Sequence, residues 1–117
     1  AEGETKKRVL LKLHPKLAPI KVAVFPLVKK DGLPDIARDI VSRFYKAGIK
    51  ADYDEQHSIG KRYARHDEAG TPYCLTVDHQ TTEDQTVTIR DRDTTAQERI
   101  SIENAIDVVR SRITAGV

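Results

Sequence analysis

Cysteine, long apolar runs and an excess of one charge are scarce in this sequence, and each absence excludes a class of protein. Cys74 is the single cysteine, so an internal disulfide cannot form and the cytoplasm is the expected compartment. The four histidines lack the close Cys/His spacing of a structural zinc site, so we expect no metal. No run of about 18 apolar residues is present to cross a bilayer, and residues 1–10 lack the apolar segment of a secretory signal. We therefore expect a soluble protein without a membrane partner.

The charge balance does not by itself indicate a partner. The chain has 20 Lys and Arg residues and 18 Asp and Glu residues, a formal net charge of +2. So small an excess gives no general attraction to nucleic acid or to a membrane surface. Any anionic partner must therefore be bound by a local cluster of basic side chains.

The first half of the chain predicts a strand, a helix and a second strand. With 117 residues we expect one domain at residues 21–117, preceded by a linker at residues 1–20, whose two prolines favour extended backbone. Residues 21–25 form a short apolar run typical of a central strand. From Leu33 the apolar residues follow the spacing of an amphipathic helix, and residues 49–53 suit another strand. This order implies a right-handed parallel crossover.

The second half continues the alternation of helix and strand patterns. Val87 and Ile89 are expected to face the core, and the side chains that alternate with them to face outward. A strand at 86–90 that runs antiparallel to one at 73–77 would place Arg90 at the sheet edge opposite the start of a helix at 58–69. The predicted elements are a helix at 58–69, strands at 73–77, 86–90 and 97–100, a hairpin loop at 78–85 and a final helix from Ser101. Together they predict an α/β sandwich.

The residues that enzymes use for chemistry are poorly represented. The stretch SIGKR lacks the preceding glycine of a phosphate loop, and Arg62 stands where Ser or Thr should bind magnesium. Asp52, Asp54 and Glu55 are expected at an exposed strand end, where carboxyl groups keep ordinary pKa values. Cys74 lies in an apolar strand and is expected to be unreactive. We therefore expect no catalytic residue in this chain.

Two local groups of charged residues are more informative. One is a basic helix face, and the other is the sequence RDRD at the end of the fourth strand. Arginine forks suit phosphates and base edges, and carboxylates accept hydrogen bonds from exocyclic amines, so both groups are compatible with RNA binding. Solvated charged surface is the alternative. The residues are Lys61, Arg62 and Arg65 on the helix and Arg90, Asp91, Arg92 and Asp93 after the strand.

Three segments of the sequence carry a resemblance to a known family. They are KLHPKLAPIKVAVFPLVKKDGL, YDEQHSIGKRYARHDEAGTPYCLTVD and TVTIRDRDT. The chain resembles the C-terminal anticodon-binding domain of glycyl-tRNA synthetases of the dimeric class II type, over about residues 8–114. The most specific parts are SIGKRYARHDEAGTPYC and TVTIRDRDT. The resemblance implies a three-layer α/β/α domain with a mixed sheet of roughly five strands and about three helices.

The resemblance also implies a function. Such a domain binds the anticodon stem and loop of glycine tRNA, with no DNA or membrane partner. The fragment itself is expected to hold no cofactor and to catalyse nothing. ATP and magnesium would bind a catalytic domain that precedes Ala1 in a parent ligase, which is expected to be a cytoplasmic homodimer.

Roles for individual residues follow from the same resemblance. Glycine anticodons end in two cytosines, so Asp91 and Asp93 are candidates to accept from cytosine N4, and Arg90 and Arg92 to read a base or hold a phosphate. The helix group at residues 61, 62 and 65 is expected to position the RNA backbone. Glu83, in the segment DHQTTEDQ, is a further candidate contact, with a solvated loop side chain as the alternative.

Two other functions remain open. One is an accessory, protein-interaction role on the same fold, as in the related accessory subunit of the mitochondrial DNA polymerase. The intact TVTIRDRDT argues against it. The other is a free-standing α/β enzyme or phosphate binder, which the lack of a nucleophile, a metal set or a complete phosphate loop disfavours.

Overall fold

A computed structural model describes residues 20–56 and 58–115 of the chain. The predicted linker lies outside the described residues, apart from Ile20. The strands are β1 (Val22–Pro26), β2 (Ala51–Tyr53), β3 (Tyr73–Val77), β4 (Thr86–Asp91) and β5 (Gln97–Ser101). The helices are α1 (Leu33–Lys46), α2 (Ile59–Glu68), α3 (His79–Asp84) and α4 (Ile102–Ala115).

The five strands form one mixed sheet in the order β2-β1-β3-β4-β5. Strands β2, β1 and β3 are parallel, with Val22 opposite Ala51 on one side and Tyr73 on the other. Strands β4 and β5 run antiparallel to their neighbours. Every residue of β1 is buried, which confirms the prediction of a central strand.

Helices cover both faces of the sheet and produce three layers. On one face, Phe44 of α1 and Val109 of α4 belong to a single apolar cluster with the inward residues of β1, β3 and β4. On the other face, Tyr63 of α2 packs on Phe25 and Cys74. The ring centroids of Phe25 and Tyr63 lie 5.5 Å apart in an edge-to-face arrangement. The three-layer α/β/α architecture implied by the resemblance is therefore confirmed.

Helix α2 begins and ends where its sequence predicts. The Ser58 hydroxyl accepts a hydrogen bond from the Lys61 backbone N–H and caps the first turn. At the other end, Gly70 has a φ of 81°, a left-handed conformation that glycine adopts without strain. Its N–H donates to the Asp67 carbonyl oxygen at 3.1 Å. The end of the helix is therefore fixed by backbone geometry next to the start of β3.

The segment predicted as a hairpin loop is instead the short helix α3. The Asp78 side chain accepts from the Thr81 N–H at 3.2 Å, while the Asp78 N–H donates to the Thr81 hydroxyl at 3.0 Å. This reciprocal capping box satisfies the backbone donors that an isolated turn would leave to water. The described residues therefore contain four helices rather than about three. The loop prediction was wrong because a polar segment can be helical when its first turn is capped.

No helix within residues 20–56 or 58–115 combines the length and the apolar composition needed to cross a lipid bilayer.

Candidate nucleic-acid interface

The RDRD sequence runs out of β4 into a tight turn that Asp91 organises. One carboxylate oxygen of Asp91 accepts from the backbone N–H groups of Asp93 at 2.8 Å and Thr94 at 3.1 Å. The backbone of Asp91 adds hydrogen bonds with Ala96 and with Thr95, which has a φ of 59°. This geometry makes Asp91 a turn-forming residue. Its carboxylate accepts from backbone N–H groups that have no strand partner inside the turn.

Both arginines of the turn are held by Asp67, at the end of α2. The Nη1 and Nη2 groups of Arg90 donate to the two carboxylate oxygens of Asp67 at 3.0 and 3.3 Å. Arg92 donates through Nε to the Asp67 backbone carbonyl at 3.0 Å. The Arg90 guanidinium also lies 4.8 Å from the ring centroid of Tyr63. Hydrogen bonding to Asp67 raises the pKa of Arg90 above its ordinary value.

The exposure of these side chains differs sharply. The side chains of Arg90 and Arg92 are only 13% and 14% exposed, whereas Asp93 is 58% exposed. Arg92 donates to Asp93 at 3.0 Å. Two arginines and the three aspartates at 67, 91 and 93 give the cluster a net charge of −1. The turn therefore offers directed donors and acceptors rather than a positive field for phosphates.

Arg62 does not lie on an exposed basic face, and that placement from the sequence was wrong. The residue is 4% exposed. Its guanidinium donates to the backbone carbonyls of Pro26 at 2.5 Å, Gln56 at 2.9 Å and Glu55 at 3.1 Å. A buried carbonyl without a partner is costly, so one fork with five donors ties the loop after β2 to the end of β1.

Asp54 is buried, although the sequence predicted an exposed strand end. It is 3% exposed and accepts from Arg65 at 2.7 Å, from the Gln56 backbone N–H at 3.0 Å, and bonds with His66 Nε2 at 3.1 Å. Burial alone would raise the pKa of Asp54, but these hydrogen bonds and the charge of Arg65 outweigh it, so the pKa is lowered. The exposed-end prediction failed because the partners come from the next helix.

The charged groups predicted for RNA binding do not form one surface. Arg65 and Asp67 are two positions apart on α2, about 200° around its axis, so Arg65 faces Asp54 on one flank and Asp67 faces the turn on the other. Lys61 is exposed near the start of α2, about 9 Å along the axis from Asp67. The predicted position of Arg90, away from the start of this helix, is confirmed.

Two further predicted positions lie apart from the turn. Glu83 is exposed on α3, which follows the carboxyl end of β3, whereas the turn lies beside Tyr73 at the amino end of that strand. Cys74 is buried on β3, and burial raises the pKa of its thiol to about 12, which is the environment expected for a cysteine that packs in the core. Among the described residues, no group of three or more His, Cys, Asp or Glu side chains is placed to hold a metal ion.

Residues 21–112 match the sequence model of a protein family described as the anticodon binding domain. The chain belongs to the anticodon-binding domain family. The resemblance drawn from the sequence motifs is therefore confirmed.

Relatives of this anticodon-binding domain are glycine-tRNA ligases. The enzyme from Rhodopirellula baltica is 50% identical over 97% of this chain and 21% of its own length. That from Thermococcus gammatolerans is 55% identical over 91% of this chain and 19% of its own length. That from Pyrococcus furiosus is 59% identical over 82% of this chain and 17% of its own length. The chain thus spans about a fifth of the length of these relatives.

A solved structure supports the fold of the anticodon-binding domain independently. The prolyl-tRNA synthetase from Cryptosporidium parvum, in complex with L-proline and AMP, superposes with a TM-score of 0.80. The match covers 87% of this chain and 22% of that chain at 20% sequence identity. The shared architecture is thus retained where most side chains differ.

Sequence reasoning missed Asp67, which holds both arginines of the turn. Its role depends on which strand lies beside β3, and that pairing is not visible in the residues around it. The available signal was the spacing of Tyr63 and Asp67, which at four positions apart share one flank of a helix.

Proposed function

We propose that this anticodon-binding domain recognises the anticodon stem-loop of glycine tRNA. The observation that carries the proposal is the turn at residues 90–93, whose two arginines are ordered against α2 while Asp93 stays exposed. The similarity to glycine-tRNA ligases over most of the chain indicates which tRNA.

The turn suits the reading of cytosines in a single-stranded loop. The exposed carboxylate of Asp93 accepts a hydrogen bond from cytosine N4, and guanidinium N–H groups of Arg90 and Arg92 donate to cytosine O2 or to a phosphate. Asp91 shapes the turn through its bonds to backbone N–H groups. Because the local net charge is −1, the turn contributes selectivity rather than general attraction to RNA.

The remaining predicted residues take other roles in this proposal. Lys61 is exposed and holds the RNA backbone without reading sequence. Arg65 is half-exposed and adds a phosphate contact while it stays paired with Asp54. Arg62 supports the loop from within. Glu83 is a solvated side chain of α3, outside the contact.

We infer that the domain acts within a longer glycine-tRNA ligase. Its relatives are about five times its length, so the rest of such a protein would supply the site for ATP, magnesium and the acceptor end of the tRNA. We also propose that this parent is a homodimer and works in the cytoplasm. The domain itself recognises tRNA and leaves the ligation chemistry to the parent.

Binding to an RNA stem-loop tests the proposal. The chain is titrated by fluorescence anisotropy against the anticodon stem-loop of glycine tRNA and against a copy with both anticodon cytosines replaced by uracil, across a salt series. Uracil presents O4 as an acceptor where cytosine presents the N4 donor, so we expect about 5- to 100-fold weaker binding for each base that is read. Equal and steeply salt-dependent binding would contradict reading, and no binding at all would favour a protein partner.

A further inference from the structure

We propose that Asp67 is the positioning residue of this interface, which orders Arg90 through its carboxylate and Arg92 through its backbone carbonyl. The inference rests on the proposed function, because it assigns a role in the recognition of the anticodon loop. Asp67 does not itself need to touch the RNA. It acts by fixing the two guanidinium groups before the RNA arrives.

The carboxylate of Asp67 determines where Arg90 points. Its two oxygens receive the two terminal nitrogens of Arg90, and this paired geometry fixes the plane of the guanidinium as well as its position. The Tyr63 ring lies 4.8 Å from the same group and restricts its movement further. The Arg90 side chain is nevertheless 13% exposed, so part of the guanidinium stays accessible at the edge of the turn.

The backbone carbonyl of Asp67 orders Arg92. It lies in the last turn of α2, where the helix leaves carbonyl oxygens without helical partners and carries a partial negative charge. This carbonyl accepts from the Gly70 N–H at 3.1 Å and from Arg92 Nε at 3.0 Å. The contact to Arg92 therefore does not depend on the side chain at position 67. A substitution that keeps the helix, such as Asp67→Asn, separates the positioning of Arg90 from that of Arg92.

Ordering these side chains in advance has a measurable consequence for binding. A long side chain that is mobile in the free protein must lose its freedom when RNA binds, which weakens binding by about two- to tenfold for each side chain. Because Asp67 already holds Arg90 and Arg92 in the free domain, their side-chain freedom is lost when the domain folds and not when RNA binds. Loosening Arg90 should therefore weaken the binding of the cytosine stem-loop and reduce its preference over the uracil copy.

The substitution Asp67→Asn distinguishes positioning of Arg90 from simple electrostatics, because the two predict opposite changes in RNA affinity. It keeps the size of the side chain but removes the charge and one of the two acceptors. Glu68→Gln is the matched control, because Glu68 is the next residue, is exposed, and has no hydrogen bond or ion pair with the described part of the chain. Simple electrostatics would make both variants bind RNA more tightly, since each loses a negative charge. We expect Asp67→Asn to bind the cytosine stem-loop about three- to tenfold more weakly, and Glu68→Gln to bind within about twofold of the wild type.

A double-substitution cycle shows whether Asp67 acts through Arg90. In a chain that already carries Arg90→Ala, adding Asp67→Asn should cause no further loss, because the group that it positions is absent. Losses that simply multiply in the double variant would overturn the proposal. If Asp67→Asn does not fold, Arg90→Lys serves in its place, since lysine keeps the charge but cannot form the paired contact. Unchanged affinity and preference in Arg90→Lys would equally overturn it.

The two proposals fail in distinguishable ways. A wild-type chain that shows no preference for the cytosines contradicts the proposed function itself. A wild-type chain with that preference, beside an Asp67→Asn variant that behaves like Glu68→Gln, contradicts only the role of Asp67.

Discussion

Arg62 illustrates, at the scale of a single residue, how a charged side chain in a basic segment can serve the fold. Its neighbour Lys61 is exposed, while Arg62 donates to three backbone carbonyls from two segments of the chain. A helical wheel places both residues within the same polar sector, so the sequence alone does not distinguish them. The distinction comes from the loop after β2, whose carbonyls need donors.

Removing Arg62 should therefore destabilise the fold. Arg62→Ala leaves three carbonyls without their donor and should lower the free energy of unfolding by at least about 1.5–3 kcal/mol, measured by urea denaturation. Lys61→Ala should change it by less than about 0.5 kcal/mol. Equal losses for the two variants would show that Arg62 has no special role in the loop.

Asp54 provides a prediction about pH. Its pKa is lowered in the folded chain, so its stabilising contribution is complete above its unfolded value of about 3.9 and is lost as the pH falls through the lower folded value. Asp54→Asn should reduce the free energy of unfolding by about 1.5–3 kcal/mol at neutral pH, and the difference from the wild type should shrink below about pH 4. Asp52→Asn, at an exposed position of β2 two residues earlier, is the control. A difference that persists unchanged at low pH would refute this role of Asp54.

At the scale of elements, periodicity and caps predicted most of the fold. The strands and α2 begin and end within about two residues of their predicted bounds, and α1 and α4 begin within one residue of theirs, because apolar spacing, Ser58 and Gly70 are local signals. Helix α3 was missed because its six residues are polar and its signal is the pairing of Asp78 with Thr81. The partners of Asp54, Arg62 and Asp67 were not predictable, since each depends on how distant elements pack.

The capping box of α3 can be tested by the effect of substitutions on the free energy of unfolding. Asp78→Ala removes the cap and the ion pair with Arg99, whose Nη2 donates to Asp78 at 2.5 Å. We expect the free energy of unfolding to fall by about 0.5–2 kcal/mol from the lost cap, with a small further loss from the partly exposed ion pair. Glu83→Ala, on the exposed side of α3, should leave stability within about 0.5 kcal/mol of the wild type. A loss in Glu83→Ala as large as that in Asp78→Ala would argue against the cap.

At the scale of the whole molecule, the turn and Lys61 occupy different ends of α2. In the proposed function the turn supplies selectivity and Lys61 supplies a sequence-independent contact, so the two properties are assigned to separate residues. The net charge of +2 adds little long-range attraction. The affinity of the domain should therefore depend on a few local contacts.

This separation predicts different phenotypes for two basic residues. Arg92→Ala should weaken binding of the cytosine stem-loop by about 1–3 kcal/mol and affect the uracil copy much less. Lys61→Ala should weaken both RNAs to the same extent and reduce the slope of log affinity against log salt by about 1. Equal losses on both RNAs for Arg92→Ala would contradict its reading role.

In the proposed function, the turn at residues 90–93, held against the end of α2, is the surface that meets the anticodon bases. NMR titration of the ¹⁵N-labelled chain with the cytosine stem-loop would locate this surface, because each backbone amide reports its own surroundings. We expect the largest shifts at residues 90–96 and at residues 67–70, and weaker shifts with the uracil copy. Shifts confined to α1 or α4, with residues 90–96 unchanged at saturation, would contradict it.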